Sequence, residues 1–148
     1  MEKTLDDFVT EVQEEIFEKT KEVYGKEVFS RWQNPKYMGK MVNPSCVGRL
    51  TGNCGDRMEI YLRIKDDHIE EAKFFTDGCG SSVACGSVVA ELATGKDLDE
   101  AAQIGGDSIL MALGGLPEEE KHCAFLAAAT LMAAIHQWLV EKISPDRR

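Results

Sequence analysis

The sequence has no C-x-x-C pair, no excess of basic residues, no apolar run of membrane-spanning length and only 4 prolines. Without C-x-x-C spacing, neither a zinc ribbon nor a thioredoxin-type site follows from the cysteines. The 17 lysines and arginines face 26 acids, a formal charge of -9. That balance opposes nonspecific contact with nucleic acid or anionic lipid, so neither is expected as a partner. The longest apolar stretch, Ala124 to Ile135 around Thr130, is shorter than the roughly 20 residues that cross a bilayer. The N-terminus, MEKTLDDFVTEVQEE, lacks the basic region and apolar core of a secretory signal, which makes the cytoplasm the expected location. No collagen-like, Gln/Asn-rich or Ser-rich tract is present, and no internal repeat.

What is present suits an ordinary domain. The 148 residues are 43% hydrophobic and 29% charged, enough for one core rather than two. We expect a single domain over 1-148, with an N-terminal helix over 1-27 and a core over 28-143.

Leu5, Phe8, Val9, Val12 and Ile16 follow the three-and-four spacing of an amphipathic helix that Gly25 stops. SRWQNPKYMGK reads as a turn-rich connector. CVGRLTGNCGD predicts a short strand and a tight loop. Met58, Ile60, Leu62 and Ile64 then alternate with polar neighbours, predicting a strand with one buried face. Asp66-Asp67 turns the chain into a returning strand, HIEEAKFFT. From Ser81 the pattern is helical to Gly95, with short helices capped by Asp97 and by Asp107. A long helix over EEEKHCAFLAAATLMAAIHQWLVEKI closes the chain, with acids in its first turn. The order predicts an α+β fold, a small antiparallel sheet with helices packed on one face and a long C-terminal helix.

Five cysteines, an odd number, are Cys46, Cys54, Cys79, Cys85 and Cys123, and in a reducing compartment they are not expected to form a disulfide framework. Cys79 stands between Gly78 and Gly80 at the mouth of a predicted helix, where dipole and free N-H groups favour thiolate. The glycines permit unusual backbone angles and close approach. The same placement also suits a buried cysteine in a tight turn. Cys54 lies in GNCGDR, with Asp56 two residues on and on the same side of an extended segment, a hard oxygen beside a soft sulfur; a solvated loop aspartate is the plainer reading. His122 and Cys123 open the last helix, where thiolate is again favoured, and His122 can ligate, deliver a proton or cap nearby groups. Cys54, Cys79 and Cys123 thus make a candidate three-thiolate site, with Asp56 or His122 as fourth ligand. Cys85 reads as core and Cys46 as a surface or strand residue.

NPKYMG, GNCGD, DGCGSSVACGSVVAELATGKDLDEA and LPEEEKHCAFLAAATLMAAI resemble, in order and spacing, the IscU-type iron-sulfur cluster scaffolds, whose domain also begins NifU. The likeness runs from about Phe29 to Leu139. It implies an α+β scaffold that assembles a [2Fe-2S] cluster from ferrous iron and sulfur supplied by a cysteine desulfurase, then hands it to recipient apoproteins. By the same resemblance the cluster-binding cysteines are Cys54, Cys79 and Cys123, with Asp56 and His122 as alternative fourth ligands and Cys123 as the sulfur acceptor. A frataxin-like or ferredoxin partner and self-association are further implications. Enzymatic turnover of a small molecule is not.

Departures qualify the resemblance. The family's chaperone segment, L-P-P-V-K, is here Leu116-Pro117-Glu118-Glu119-Glu120-Lys121, which argues against an Hsp70-type partner. Cys85 replaces a residue more often serine, and the chain carries no second NifU-like or ferredoxin domain, so a stand-alone scaffold is expected. Two alternatives compete: a zinc-containing sulfur acceptor resembling SufU, with Zn2+ held by Cys54, Asp56, Cys79 and Cys123, and a thiol enzyme with Cys123 as nucleophile and His122 as base. Adjacent helical residues point about 100° apart, a poor geometry for the latter.

Overall fold

A three-stranded antiparallel meander organises the protein. The computed structural model describes residues 4-53 and 55-143. Strand β1 (Cys46-Thr51) pairs with β2 (Arg57-Lys65), which pairs with β3 (His68-Thr76). Alternation sets the register: Ile60 lies between Gly48 and Phe74, and Leu62 between Cys46 and Ala72. Asp66 and Asp67 both take positive φ, 54° and 59°, the backbone of a two-residue hairpin turn whose twist matches the strands.

The helices are α1 (Leu5-Tyr24), α2 (Lys26-Gln33), α3 (Gly80-Ala93), α4 (Leu98-Ala101), α5 (Gly106-Leu113) and α6 (His122-Ile143). Thr4 and Asp7 form a reciprocal capping box that starts α1, and Asp97 with Glu100 does the same for α4. Helices α3 and α6 cover the inward face of the sheet, where Met58, Ile60, Leu62 and Phe74 are fully buried. Two glycines set how close they come. A Cβ on Gly86 would collide with the Phe74 ring, and one on Gly48 with the α6 backbone at Thr130 and Ala134. Backbone cannot rotate out of the way, so Gly48→Ala is expected to lower stability by about 3 kcal/mol, the upper part of the range for overpacking. Urea unfolding at neutral pH checks this, and a loss below about 0.5 kcal/mol would show that α6 lifts off β1 at little cost.

Several local expectations differ from the structure. Ser30-Gln33, read as connector, belongs to α2, which buries Val28 and Phe29. The turn-rich segment begins only at Asn34, and residues 37-39 then run along β3, where Tyr37 O accepts from Phe74 N at 3.0 Å and Gly39 N donates to Phe74 O at 2.8 Å. The outward face of β2 is not simply solvated: Glu59 is buried, accepting from Arg49 at 2.6 Å and from the Tyr61 hydroxyl at 3.1 Å. Helix α4 ends at Ala101 rather than Ile104, because Gln103 and Ile104 bond three residues back instead of four. Gly105, not Asp107, is the N-cap of α5. The acids before α6 form a separate 3-10 turn, Glu118-Glu120, so the long helix starts at His122. That turn and α6 together are long and apolar enough to cross a membrane by composition alone, although no uninterrupted apolar run in the sequence is. Cys123, Ala124, Ala127, Leu131 and Ala134, along one side of α6, are buried in the core.

Candidate metal centre

Three chain segments meet at the end of the sheet where β2 begins and β3 ends. The first is the β1-β2 loop. Gly55, at φ 84°, lets it close: Gly52 N donates to Asp56 O at 2.8 Å and Gly55 N to Gly52 O at 3.0 Å. Cys54 sits inside this loop and lies outside the described residues. The second is the β3-α3 junction, tied to the first where Asp77 Oδ1 accepts from Arg57 N at 2.9 Å and Thr76 Oγ1 donates to Arg57 O at 2.8 Å. The third is the start of α6.

Asp56, Cys79 and Cys123 project from these segments so that one carboxylate oxygen and two sulfurs all lie within 4.8 Å of one another. Ser82 stands at their centre. Its hydroxyl is 3.2 Å from Asp56 Oδ2, 3.5 Å from Cys123 Sγ and 3.9 Å from Cys79 Sγ. One turn of α3 separates Cys79 from Ser82, which puts both on one helix face. Composition does not single out Ser82; the three-residue step from Cys79 in GCGSS is its signal in the sequence.

The glycines around Cys79 are needed for closeness, not for unusual backbone angles: neither Gly78 nor Gly80 has positive φ. A Cβ on Gly78 would sit 2.8 Å from Ser82 Cβ and 2.9 Å from Asp56 Oδ2, and one on Gly80 would press the Trp32 ring at 3.1 Å. Their lack of side chains lets the three segments converge. Cys79 is the N-cap of α3 and is exposed.

Cys123 differs. It is 1% exposed, and burial pushes its thiol up to about 11, helped by the nearby Cys79 and Asp56 and opposed by the Ser82 hydrogen bond. Burial thus opposes the thiolate expected of Cys123 at the start of a helix. A helix N-terminus contributes at most about 2 kcal/mol in a partly buried place, and desolvation outweighs it here. A cation bound among these ligands reverses that balance, since coordination deprotonates a thiol.

His122 is exposed and its Nε2 lies 3.7 Å from Cys123 Sγ. The ring thus folds back toward the adjacent sulfur, contrary to the divergence expected of neighbouring helical residues. With burial pushing its thiol up to about 11, Cys123 attacks as a nucleophile only after a base or a bound cation has removed its proton.

Cys46 and Cys85 are not among the converging ligands. Cys85 is fully buried in α3, as expected of a core residue, and burial raises its thiol well above the usual range. Cys46 opens β1 but is buried rather than on the surface, and its thiol is pushed up to about 12 by burial, with Glu141 adding to the effect. The sign of the resulting pH dependence is definite. An unfolded chain ionises these thiols near pH 9 while the folded one holds the protons, so stability is full below about pH 9 and is lost as pH rises toward 12. Unfolding free energy should fall more shallowly from pH 9 to 11 in Cys46→Val than in the wild type. Equal slopes in urea titrations would contradict the assignment.

An α+β frame gathers two cysteines and an aspartate at one end of its sheet, a candidate site for a thiophilic metal. Residues 23-144 match the NifU-like N terminal domain, and the chain belongs to that family. It is 44% identical over 115 residues to the iron-sulfur cluster assembly scaffold protein IscU 1 of Archaeoglobus fulgidus, covering 76% of this chain and 74% of that one. It is 34% identical over 123 residues to the IscU scaffold of Aquifex aeolicus, covering 80% and 78%. The nitrogen fixation protein NifU of Azotobacter chroococcum is 34% identical over 126 residues, and the match spans 83% of this chain but 41% of that longer protein. The N-terminal NifU-like protein of Brucella abortus shares the fold, with a TM-score of 0.64 at 20% identity over 82% of this chain and 98% of that one.

Proposed function

We propose that this protein is a scaffold on which a labile [2Fe-2S] cluster is assembled from ferrous iron and desulfurase-derived sulfur, then passed to recipient apoproteins. The observation that carries the reading is the convergence of Asp56, Cys79 and Cys123 within 4.8 Å, in a chain whose relatives are named as IscU scaffolds. Thiolates are the usual ligands of such clusters. Cys54, in the loop that delivers Asp56, supplies the third.

Asp56 is the preferred fourth ligand, because its carboxylate already lies with both sulfurs, whereas the His122 ring lies 3.7 Å from Cys123 Sγ and outside that group. Carboxylate oxygen is a harder donor than thiolate and holds iron less tightly. That favours release, which a scaffold needs and an electron carrier does not.

Sulfur arrives as a persulfide. Cys123, once deprotonated, attacks the outer sulfur of the donor's persulfide; a new S-S bond forms at Cys123, the donor's S-S bond breaks, and the donor leaves as a thiolate. Two such sulfurs become two sulfides by taking up four electrons, two from the ferrous ions as they become ferric and two from a ferredoxin-type reductant. The chain itself turns over no small-molecule substrate; it positions ligands and carries sulfur.

A zinc-containing sulfur acceptor is the second reading, favoured by a donor set of thiolates and carboxylate that suits tetrahedral zinc equally well. The two readings part on transfer. Anaerobically loaded protein mixed with an apo-ferredoxin should lose its visible circular dichroism as that of the ferredoxin appears. A loaded protein that yields only zinc, and no cluster to the acceptor, would overturn the scaffold reading.

A further inference from the structure

Helix α1 lies almost wholly outside the family match, which begins at residue 23, and none of its residues is buried. Leu5, Val9, Val12, Ile16 and Val23 are spaced by four, three, four and seven positions, so at 3.6 residues per turn they form one stripe. All five stand open to solvent, from Val12 at 38% to Leu5 at 77%. The rest of the protein touches α1 on another side, where Phe17 packs edge-on to Phe29 at 5.7 Å and Lys21 sits over the same ring at 5.2 Å. The contact that holds the helix therefore leaves its apolar stripe free.

Charge restricts what can cover it. Seven carboxylates and two lysines lie along α1, and Glu15 and Glu22 border the stripe on the side away from α2. A second copy would bring two acidic helices together, and an anionic membrane would repel them. An apolar groove rimmed by Lys and Arg complements both features, the helix-in-groove mode of recognition. The far end of α1 also reaches the metal centre. Tyr24, its last residue, donates to Glu120 Oε1 at 3.2 Å and lines, with Trp32 and exposed Cys79, a cavity of about 160 Å³.

We propose that α1 is a docking helix for the sulfur-donating protein, a cysteine desulfurase that receives the stripe in a basic-rimmed groove. The inference rests on the scaffold reading. Cluster recipients differ from one another in surface, whereas the sulfur donor is one recurring partner, for which a dedicated docking element is suited.

The test uses the full chain and the cysteine desulfurase of the same organism, with affinity measured by titration calorimetry at low and high salt. The double variant Val12→Glu/Ile16→Glu keeps good helix formers and should bind at least about tenfold more weakly, as loss of anchor residues does. Glu15→Lys/Glu22→Lys should weaken binding at low salt and flatten its salt dependence. Cluster loading from ferrous iron and inorganic sulfide, without desulfurase, should be unchanged in both. Unchanged desulfurase affinity in the Val12→Glu/Ile16→Glu chain overturns the proposal, as does a wild-type dimer that this variant dissociates without any change toward the desulfurase. A wild-type chain that takes up no cluster from iron and inorganic sulfide contradicts the scaffold reading instead.

Discussion

Cys123→Ser is expected to reduce iron and sulfide bound after anaerobic reconstitution almost to zero, with the fold retained. The residue is buried in the first turn of α6 against Ser82 of α3, so a hydroxyl of similar shape fills its place without a cavity, while a serine oxygen is a poor ligand for iron in a sulfide cluster. Cys79→Ser should have the same effect on loading, but its exposure predicts a smaller effect on stability. Far-UV circular dichroism and thermal midpoints of the empty proteins separate loss of a ligand from loss of structure. A Cys123→Ser chain that still binds iron and sulfide in equal amounts would remove Cys123 from the site and leave the cluster to other thiols.

Asp56→Ala should act in the opposite sense, holding the cluster longer and slowing its delivery to an acceptor by roughly tenfold, the kinetic equivalent of about 1.4 kcal/mol. Asp56 offers oxygen where the other ligands offer sulfur, and it shares a hydroxyl with Cys123 through Ser82. Its carboxylate is only partly covered, so water and an incoming thiol can compete for the metal there. Removing it leaves the fourth position to His122, whose ring already lies at Cys123. Retention half-life and transfer rate to an apo-ferredoxin, followed at one protein concentration, check this. Identical values in the two proteins would show that Asp56 does not confer lability.

Much of this arrangement was legible in the sequence, for identifiable reasons. Strict alternation from Met58 to Ile64 and the Asp66-Asp67 turn define the hairpin, since each is a local signal with one structural solution. The spacing from Leu5 to Ile16 likewise gives α1 and its end at Gly25. Tertiary contacts decided the rest. Helix α2 reaches through Trp32 because Val28 and Phe29 bury themselves and the Trp32 ring covers Gly80, a pairing no local pattern reveals. Glu59 looks like a solvated strand residue until Arg49 is placed across from it.

The site shows the same division. Residue types and flanking glycines pointed to Cys79, Asp56, His122 and Cys123, but not to Ser82, whose role arises only when three distant segments meet. Cys79 and Cys123 both stand at helix starts, and burial separates them: one thiol faces solvent and the other is nearly sealed. Glycines 78 and 80 matter for the room they leave to Asp56, Ser82 and Trp32 rather than for their backbone angles.

The most direct measurement is the content of iron, acid-labile sulfide and zinc per chain after anaerobic incubation with a cysteine desulfurase, cysteine and ferrous iron. The scaffold account predicts iron and sulfide in equal amounts, both lost when Cys54, Cys79 or Cys123 is replaced. Zinc retained throughout, with sulfur present only as a cysteine persulfide, would contradict it.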